Sequence, residues 1–213
     1  MFHVSLWGSD GRGWTLAAAD QRLRQNPVAL SDTRLVLGYL LSHTKTRPLL
    51  ATPSLSGPLC LHALYTRDEI LVGLGHWTLA QRPDFREGVL HLPGHKVDAF
   101  FITLNKTEDA YSPTTMYEDY AISDRLFHWQ SQSTTSADSP VGRRYIQHRQ
   151  LGYTPLLFVR EHKKLLSGLA APYAFLGPAD YVSHTGSHPI SIVWQLRRPM
   201  PARLVRATAR QVS

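Results

Sequence analysis

The 213-residue chain has one cysteine, Cys60, so it can form neither an internal disulfide nor a cysteine-based zinc site. Such sparing use of cysteine suits a reducing cytoplasm. Cys60 itself reads as a small buried hydrophobe, with a lone nucleophile as the alternative. There is no long apolar run, and the mean hydropathy is −0.22, so neither a transmembrane helix nor a membrane partner is expected. The N-terminus, from Met1 to Trp7, lacks the basic region and apolar core of a signal peptide. G-x-x-x-x-G-K-[ST], G-x-S-x-G and H-E-x-x-H are all missing, which excludes a P-loop ATPase, a nucleophile elbow and a zincin helix. No repeat of solenoid or propeller period is present.

What is present suits a globular fold. At 43% hydrophobic and 18% charged residues, the chain can bury a core as one domain with a small helical appendage. Its net charge of +7 is unevenly spread. Residues 1–142 hold 12 Lys+Arg against 14 Asp+Glu, and residues 143–213 hold 11 against 2. That asymmetry points to a polyanion, with nucleic acid first, because Lys and Arg contacts to phosphate dominate non-specific affinity. A solvated basic face is the plain alternative. Arginine outnumbers lysine, which favours bidentate contact over simple solubility.

Residues 15–25 read as a helix that stops before Asn26-Pro27, and Ser31 or Asp32 can cap a second helix to about Ser42. Residues 44–58, rich in Thr, Pro, Ser and Gly, read as a connector. Thr66-Arg67-Asp68-Glu69 is a capping box ahead of a short helix that stops at Gly75. Strand-like runs follow at 86–92, 97–104, 155–160, 172–176, 179–183 and 189–197. In the last, Ile190, Ile192 and Trp194 share one face. Residues 117–128 read as one helix and 131–142 as a polar loop. The expected class is α+β. A mainly helical segment, 1–75, precedes a β-rich domain, 76–213, with a twisted, partly closed, antiparallel or mixed barrel-like sheet. Barrels of this kind hold nucleotides on a concave face, and one of the type that reads modified DNA bases is favoured by analogy of fold.

The run Phe100 to Gln132 carries the chemistry. Trp129 stands between His128 and the amides Gln130 and Gln132. A planar ring flanked by amide donors and acceptors can stack on a nucleobase and read its edge. A core Trp with amides satisfying buried backbone is the competing reading. Tyr111, Tyr117, Tyr120 and Phe127 could complete an aromatic cage. Tyr120 and Phe127, seven apart, instead suit one buried helix face, and Tyr117 is the better ligand contact. Among eleven histidines, His184 and His188 stand four apart, but Gly186 and Pro189 make that a turn. His76, His91, His95 and His128 lack a patterned carboxylate partner. No metal or cofactor is expected. Glu161-His162-Lys163 follows a strand-like run and, with Asp98, could form a metal-dependent nuclease centre. Arg160, Lys163 and Lys164 more simply form a basic strand end that holds phosphate, together with Arg143 and Arg144.

Several blocks resemble a known family: Tyr65-Thr66-Arg67-Asp68-Glu69-Ile70-Leu71, Asn105-Lys106, Ser112 to Ser123, and Leu126-Phe127-His128-Trp129-Gln130-Ser131-Gln132. Leu157 to Glu161, Pro172 to Gly177 and Ile192 to Leu196 continue it. Together they resemble DUF3427, a domain found at the C-terminus of bacterial superfamily II helicases, often behind a phospholipase-D-like nuclease module. The resemblance implies no activity, only a context of DNA restriction and defence. This chain departs from that context in having no motor motif. The expected function is a DNA-binding specificity module for duplex DNA, reading a modified or flipped base beside helicase or nuclease subunits. Tyr117 and Trp129 would stack, Gln130 and Gln132 would read, and Arg143, Arg144, Arg160, Lys163 and Lys164 would hold phosphates. The alternatives are the nuclease and a protein-interaction module that docks helicase to nuclease through the N-terminal helices.

Overall fold

A computed structural model describes residues 1–8, 10–43, 59–104 and 119–208. The chain opens with three helices: α1 (Phe2–Trp7), α2 (Leu16–Arg24) and α3 (Pro27–His43). Thr15 caps α2 by accepting the Ala18 N–H. Asn26-Pro27 ends α2 and also starts α3. Asn26 Oδ1 accepts the Ala29 N–H at 3.1 Å, and Pro27 occupies the first helical position, where its missing N–H costs nothing. α3 therefore begins before Ser31 and Asp32.

The rest is built on a sheet. In order come β1 (Leu64–Tyr65), α4 (Arg67–Gly73), β2 (Val89–Leu92), β3 (Val97–Thr103), β4 (Tyr120–Ala121) and β5 (Leu126–Gln130). Then follow α5 (Pro140–Ile146), β6 (Thr154–Arg160), β7 (Tyr173–Thr185), β8 (Ser191–Leu196) and α6 (Ala202–Thr208). The capping box of α4 forms in full, with Thr66 and Glu69 each bonding the other's backbone N–H. The class is α+β, as expected. The eight strands run β2-β3-β6-β7-β8-β5-β4, with β1 added on β7. Among the described residues only β3 and β6 pair in parallel, so the sheet is mixed, and it does not close on itself.

β7 makes the sheet curl. Up to Pro178 it pairs with β6, and from Ala179 it pairs with β8. Gly177 sits at the changeover with φ 94, and a Cβ there would collide with Leu61. Both the conformation and the space demand glycine. The two strand-like runs at 172–176 and 179–183 are thus one bent strand.

Every residue of β3 is buried, because it has a core on each side. Phe100 and Ile102 face inward with Leu157, Leu176, Ile192, Phe127 and Trp194. Ala99 and Phe101 face outward with Phe158, Phe175 and Tyr173, beneath Ile70 and Leu71 of α4. Each such fully buried large apolar side chain contributes about 1.5–3 kcal/mol. Cys60 is only half-buried.

One expected element is overturned. The described part of residues 117–128 is not helix but β4, a turn, and the first part of β5. Ser123 Oγ accepts the N–H groups of Arg125 and Leu126, which closes the turn. β5 alternates half-buried and buried residues and pairs with β8. Tyr120 stacks across the ladder on His128 at 4.8 Å, while Phe127 is fully buried opposite Ala121. Tyr120 and Phe127 therefore lie on opposite strands and at neighbouring, not paired, positions of one hairpin. The loop after β5 is also shorter than expected, since Ser139 caps α5 by accepting the Gly142 N–H.

Candidate ligand-binding site

The two ends of the open sheet approach each other at an aromatic junction. Phe100 of β3 meets Trp129 of β5 edge-to-face, with ring centroids 4.8 Å apart and planes at 86°. Trp129 is 7% exposed and also packs edge-on to Tyr145 of α5, at 5.6 Å. Its remaining surface forms a wall between two cavities.

The first is a cleft of about 600 Å³. It gathers five residues expected from the sequence: Trp129, Gln130, Gln132, Arg160 and Lys163. Gln130 is held by its backbone N–H, which donates to Asp119 Oδ1 at 2.9 Å, and by its side-chain amide on Ser191 Oγ at 3.3 Å. Gln132 is exposed at the rim. Arg160, at the end of β6, donates to Thr103 Oγ1 at 3.0 Å and lies 4.4 Å over the Tyr173 ring. Sequence reasoning missed the opposite side. There Arg67, from the first turn of α4, lies over Phe85 at 4.7 Å and over Phe101 at 5.1 Å, and donates to the Glu87 carbonyl. Arg86 lines the same cleft. The cleft thus holds four cationic side chains, Arg67, Arg86, Arg160 and Lys163, against two carboxylates, Glu87 and Asp119. Two of its guanidinium groups are pre-stacked on aromatic rings.

The second cavity, of about 440 Å³, lies on the far side of Trp129 and shares Glu87, Val89, Trp129, Gln132 and Thr134 with the cleft. His91 and Arg144 line it, and both are fixed by Asp98. Asp98 on β3 is 1% exposed and stands in register with His91 on β2. Arg144 Nε donates to both its oxygens, at 2.8 and 3.1 Å, and His91 Nδ1 meets Oδ1 at 2.9 Å. Because the carboxylate accepts from Arg144, the network assigns the donor role to His91 Nδ1, which leaves Nε2 as the lone-pair nitrogen of the neutral ring. Tyr153 stacks on the imidazole at 5.3 Å and fixes its plane. His91 therefore does have a carboxylate partner, supplied across a hairpin. A cross-strand His–Asp pair flanking a Pro-Gly turn was the sequence signal that could have revealed it.

The other expected residues lie apart. Tyr117 falls outside the described residues. Arg143 is exposed on α5, whereas Arg144 beside it is committed to the buried Asp98. Lys164 is exposed in the segment joining β6 and β7, where it bridges to Ala170. His184 Nδ1 bonds the Tyr181 hydroxyl at 2.6 Å. The nuclease centre does not assemble. Asp98 is in register with Pro155 on the parallel neighbour β6, and Glu161 lies six residues further along. At about 3.3 Å per residue that separates the carboxyl groups by roughly 20 Å, too far to share a metal. Glu161 is exposed and pairs with His162 at 3.4 Å. Among the described residues, no three His, Cys, Asp or Glu side chains converge as a metal site requires. Also among them, no helix is long and apolar enough to cross a membrane.

Residues 59–207 match DUF3427, described as a domain of unknown function. The chain belongs to the DUF3427 family. The match takes in α4, the whole sheet, α5 and nearly all of α6, so both cavities lie within the family domain. No curated protein matches the chain.

Proposed function

We propose that this DUF3427 domain is a DNA-binding specificity module that takes a flipped or modified base into the cleft beside Trp129, as part of bacterial restriction or defence. The supporting observation is the composition of that cleft: edge-reading groups, stacked guanidinium planes and a cationic rim in one space of about 600 Å³. Gln130 and Gln132 offer amide donors and acceptors to a base edge, and the Asp119 carboxylate accepts from an amino group. Arg67 and Arg160 present guanidinium planes on which a base can stack. Trp129 serves as the wall of the site and as its anchor in the core. Arg143, Lys163 and Lys164 supply exposed charge for phosphates. A helicase or nuclease partner would supply the motor and the cleavage chemistry that this sequence lacks.

Fluorescence anisotropy with plain and base-modified duplexes, across a range of salt, tests the reading. Binding with a steep salt dependence, and a base preference altered by Gln130→Ala or Gln132→Ala, is expected. No binding at low salt would refute it. A second reading, docking of a protein partner, is favoured by α3, where Leu35 is 70% and Leu41 79% exposed. Loss of partner capture on Leu35→Ser with Leu41→Ser, with DNA binding retained, would show that both functions coexist.

A further inference from the structure

The second cavity is built for a different chemistry from the cleft. Resting on the DNA-reading function above, we propose that it holds a neutral, polyhydroxylated substituent, a glycosyl group, carried by the base seated in the cleft.

Continuity comes first. The two spaces share Glu87, Trp129, Gln132 and Thr134, so a group attached to a ligand in one extends past Trp129 into the other. Charge decides the class. The cleft carries an excess of cations, but in the second cavity the one arginine, Arg144, is already neutralised by Asp98, and Glu87 is a carboxylate. A phosphate or carboxylate there would meet Glu87 with no uncommitted cation to offset it. An alkyl group would strand the polar lining without partners. A polyol satisfies it. Glu87 accepts two hydroxyl hydrogens, and His91 Nε2, held in place through Nδ1 by Asp98, accepts a third. Thr134, Thr135 and Gln132 both donate and accept, while Trp129 and Tyr145 give an aromatic wall against which the C–H face of a sugar packs. A space of about 440 Å³ falls within the range of small-ligand sites.

The test uses the full chain and three duplexes that differ at one position: cytosine, 5-hydroxymethylcytosine and its β-glucosylated form. Glucosylation is expected to tighten binding about tenfold over either other duplex. In Glu87→Ala and in His91→Ala the glucosyl-to-hydroxymethyl ratio should fall towards one. Thermal melts of both variants test whether they fold, and both positions are exposed. Equal affinity for the three duplexes overturns this proposal and leaves the DNA-reading function standing. Failure to bind any duplex at low salt overturns both. Binding of methyl β-glucoside alone, without preference among the duplexes, would place the polyol ligand off the DNA and also overturn it.

Discussion

The cleft and the second cavity share a wall and differ in electrostatics. In the cleft, Arg67 and Arg160 keep their guanidinium planes on aromatic rings, and charge of one sign is in excess. In the second cavity Arg144 is held through Nε by a carboxylate that is 1% exposed, and cations are not in excess. An arginine counted in a sequence is one positive charge. In the fold it is either a ligand contact or half of an internal ion pair, and only its neighbours decide which. The contrast lets perturbations of stability, affinity and selectivity be separated.

Trp129 belongs to both cavities and to the inner core, so the largest effect is expected there. Trp129→Ala should cost about 3–5 kcal/mol of stability, read as a lower midpoint in urea unfolding. Gln132→Ala, at the exposed rim, should stay within about 0.5 kcal/mol. A Trp129→Ala protein with unchanged stability and lost binding would return the indole to the role of an open stacking platform.

Removing the Asp98 carboxylate attacks the side where the arginine is neutralised. Asp98→Ala leaves Arg144 and His91 facing a hole, and loss of one partner of a buried pair costs about 3–5 kcal/mol. The exposed Arg24–Asp20 pair, at 2.7 Å, is the control. Asp20→Ala should leave the midpoint of the same urea unfolding nearly unchanged, because solvent screens an exposed pair. Equal costs would mean that Asp98 holds nothing together.

Salt titration sharpens the difference without unfolding anything. With about three phosphates neutralised, by Arg143, Lys163 and Lys164, the log–log slope should be about −3, and Lys163→Ala or Lys164→Ala should each shrink it by about one. Arg143→Ala should do the same. Arg144→Ala should instead appear mainly as lost stability. A slope that shrinks equally for Arg143→Ala and Arg144→Ala would break the distinction between the two sides.

The smallest expected effect is on pH dependence. His148, 1% exposed, meets the Tyr153 carbonyl through Nδ1 at 3.0 Å and accepts the Tyr181 N–H on Nε2 at 3.0 Å. Burial lowers its pKa below the usual histidine value, although the Tyr153 bond and Asp180 act the other way. Below about pH 6.5 the unfolded chain binds the proton and the folded chain resists it, so stability falls with acid and is regained as pH rises. His148→Gln should flatten the dependence between about pH 5 and 7 in thermal melts. An unchanged profile would assign it to another group.

Much of the architecture was legible as local pattern. The Thr66–Glu69 capping box, the apolar β3 run and the alternation of Ile190, Ile192 and Trp194 each follow from a short-range rule, and all three form. The hairpin of β4 and β5 differs from the expected helix because the spacing of seven between Tyr120 and Phe127 fits two helical turns, whereas the true partners, Tyr120 with His128 and Ala121 with Phe127, are set by the turn that Ser123 closes. Half of the candidate site was legible too, since Trp129, Gln130 and Gln132 fall within four residues and Arg160 and Lys163 within another four. Arg67, Arg86 and Glu87 were not, because they reach the cleft from segments far off in the sequence.

By itself, then, the sequence determined the strand and helix periods, the strength and asymmetry of charge, and the absence of a disulfide or a P-loop. Those depend on residue type and on neighbours a few positions away. Only the tertiary structure decided that Trp129 is a shared wall, that Arg144 is neutralised, and that Asp98 joins His91 while Glu161 stands roughly 20 Å away along a parallel strand. Register and curl set these relations. Both arise from long-range pairing, above all at β7, where Gly177 bends one strand between two neighbours.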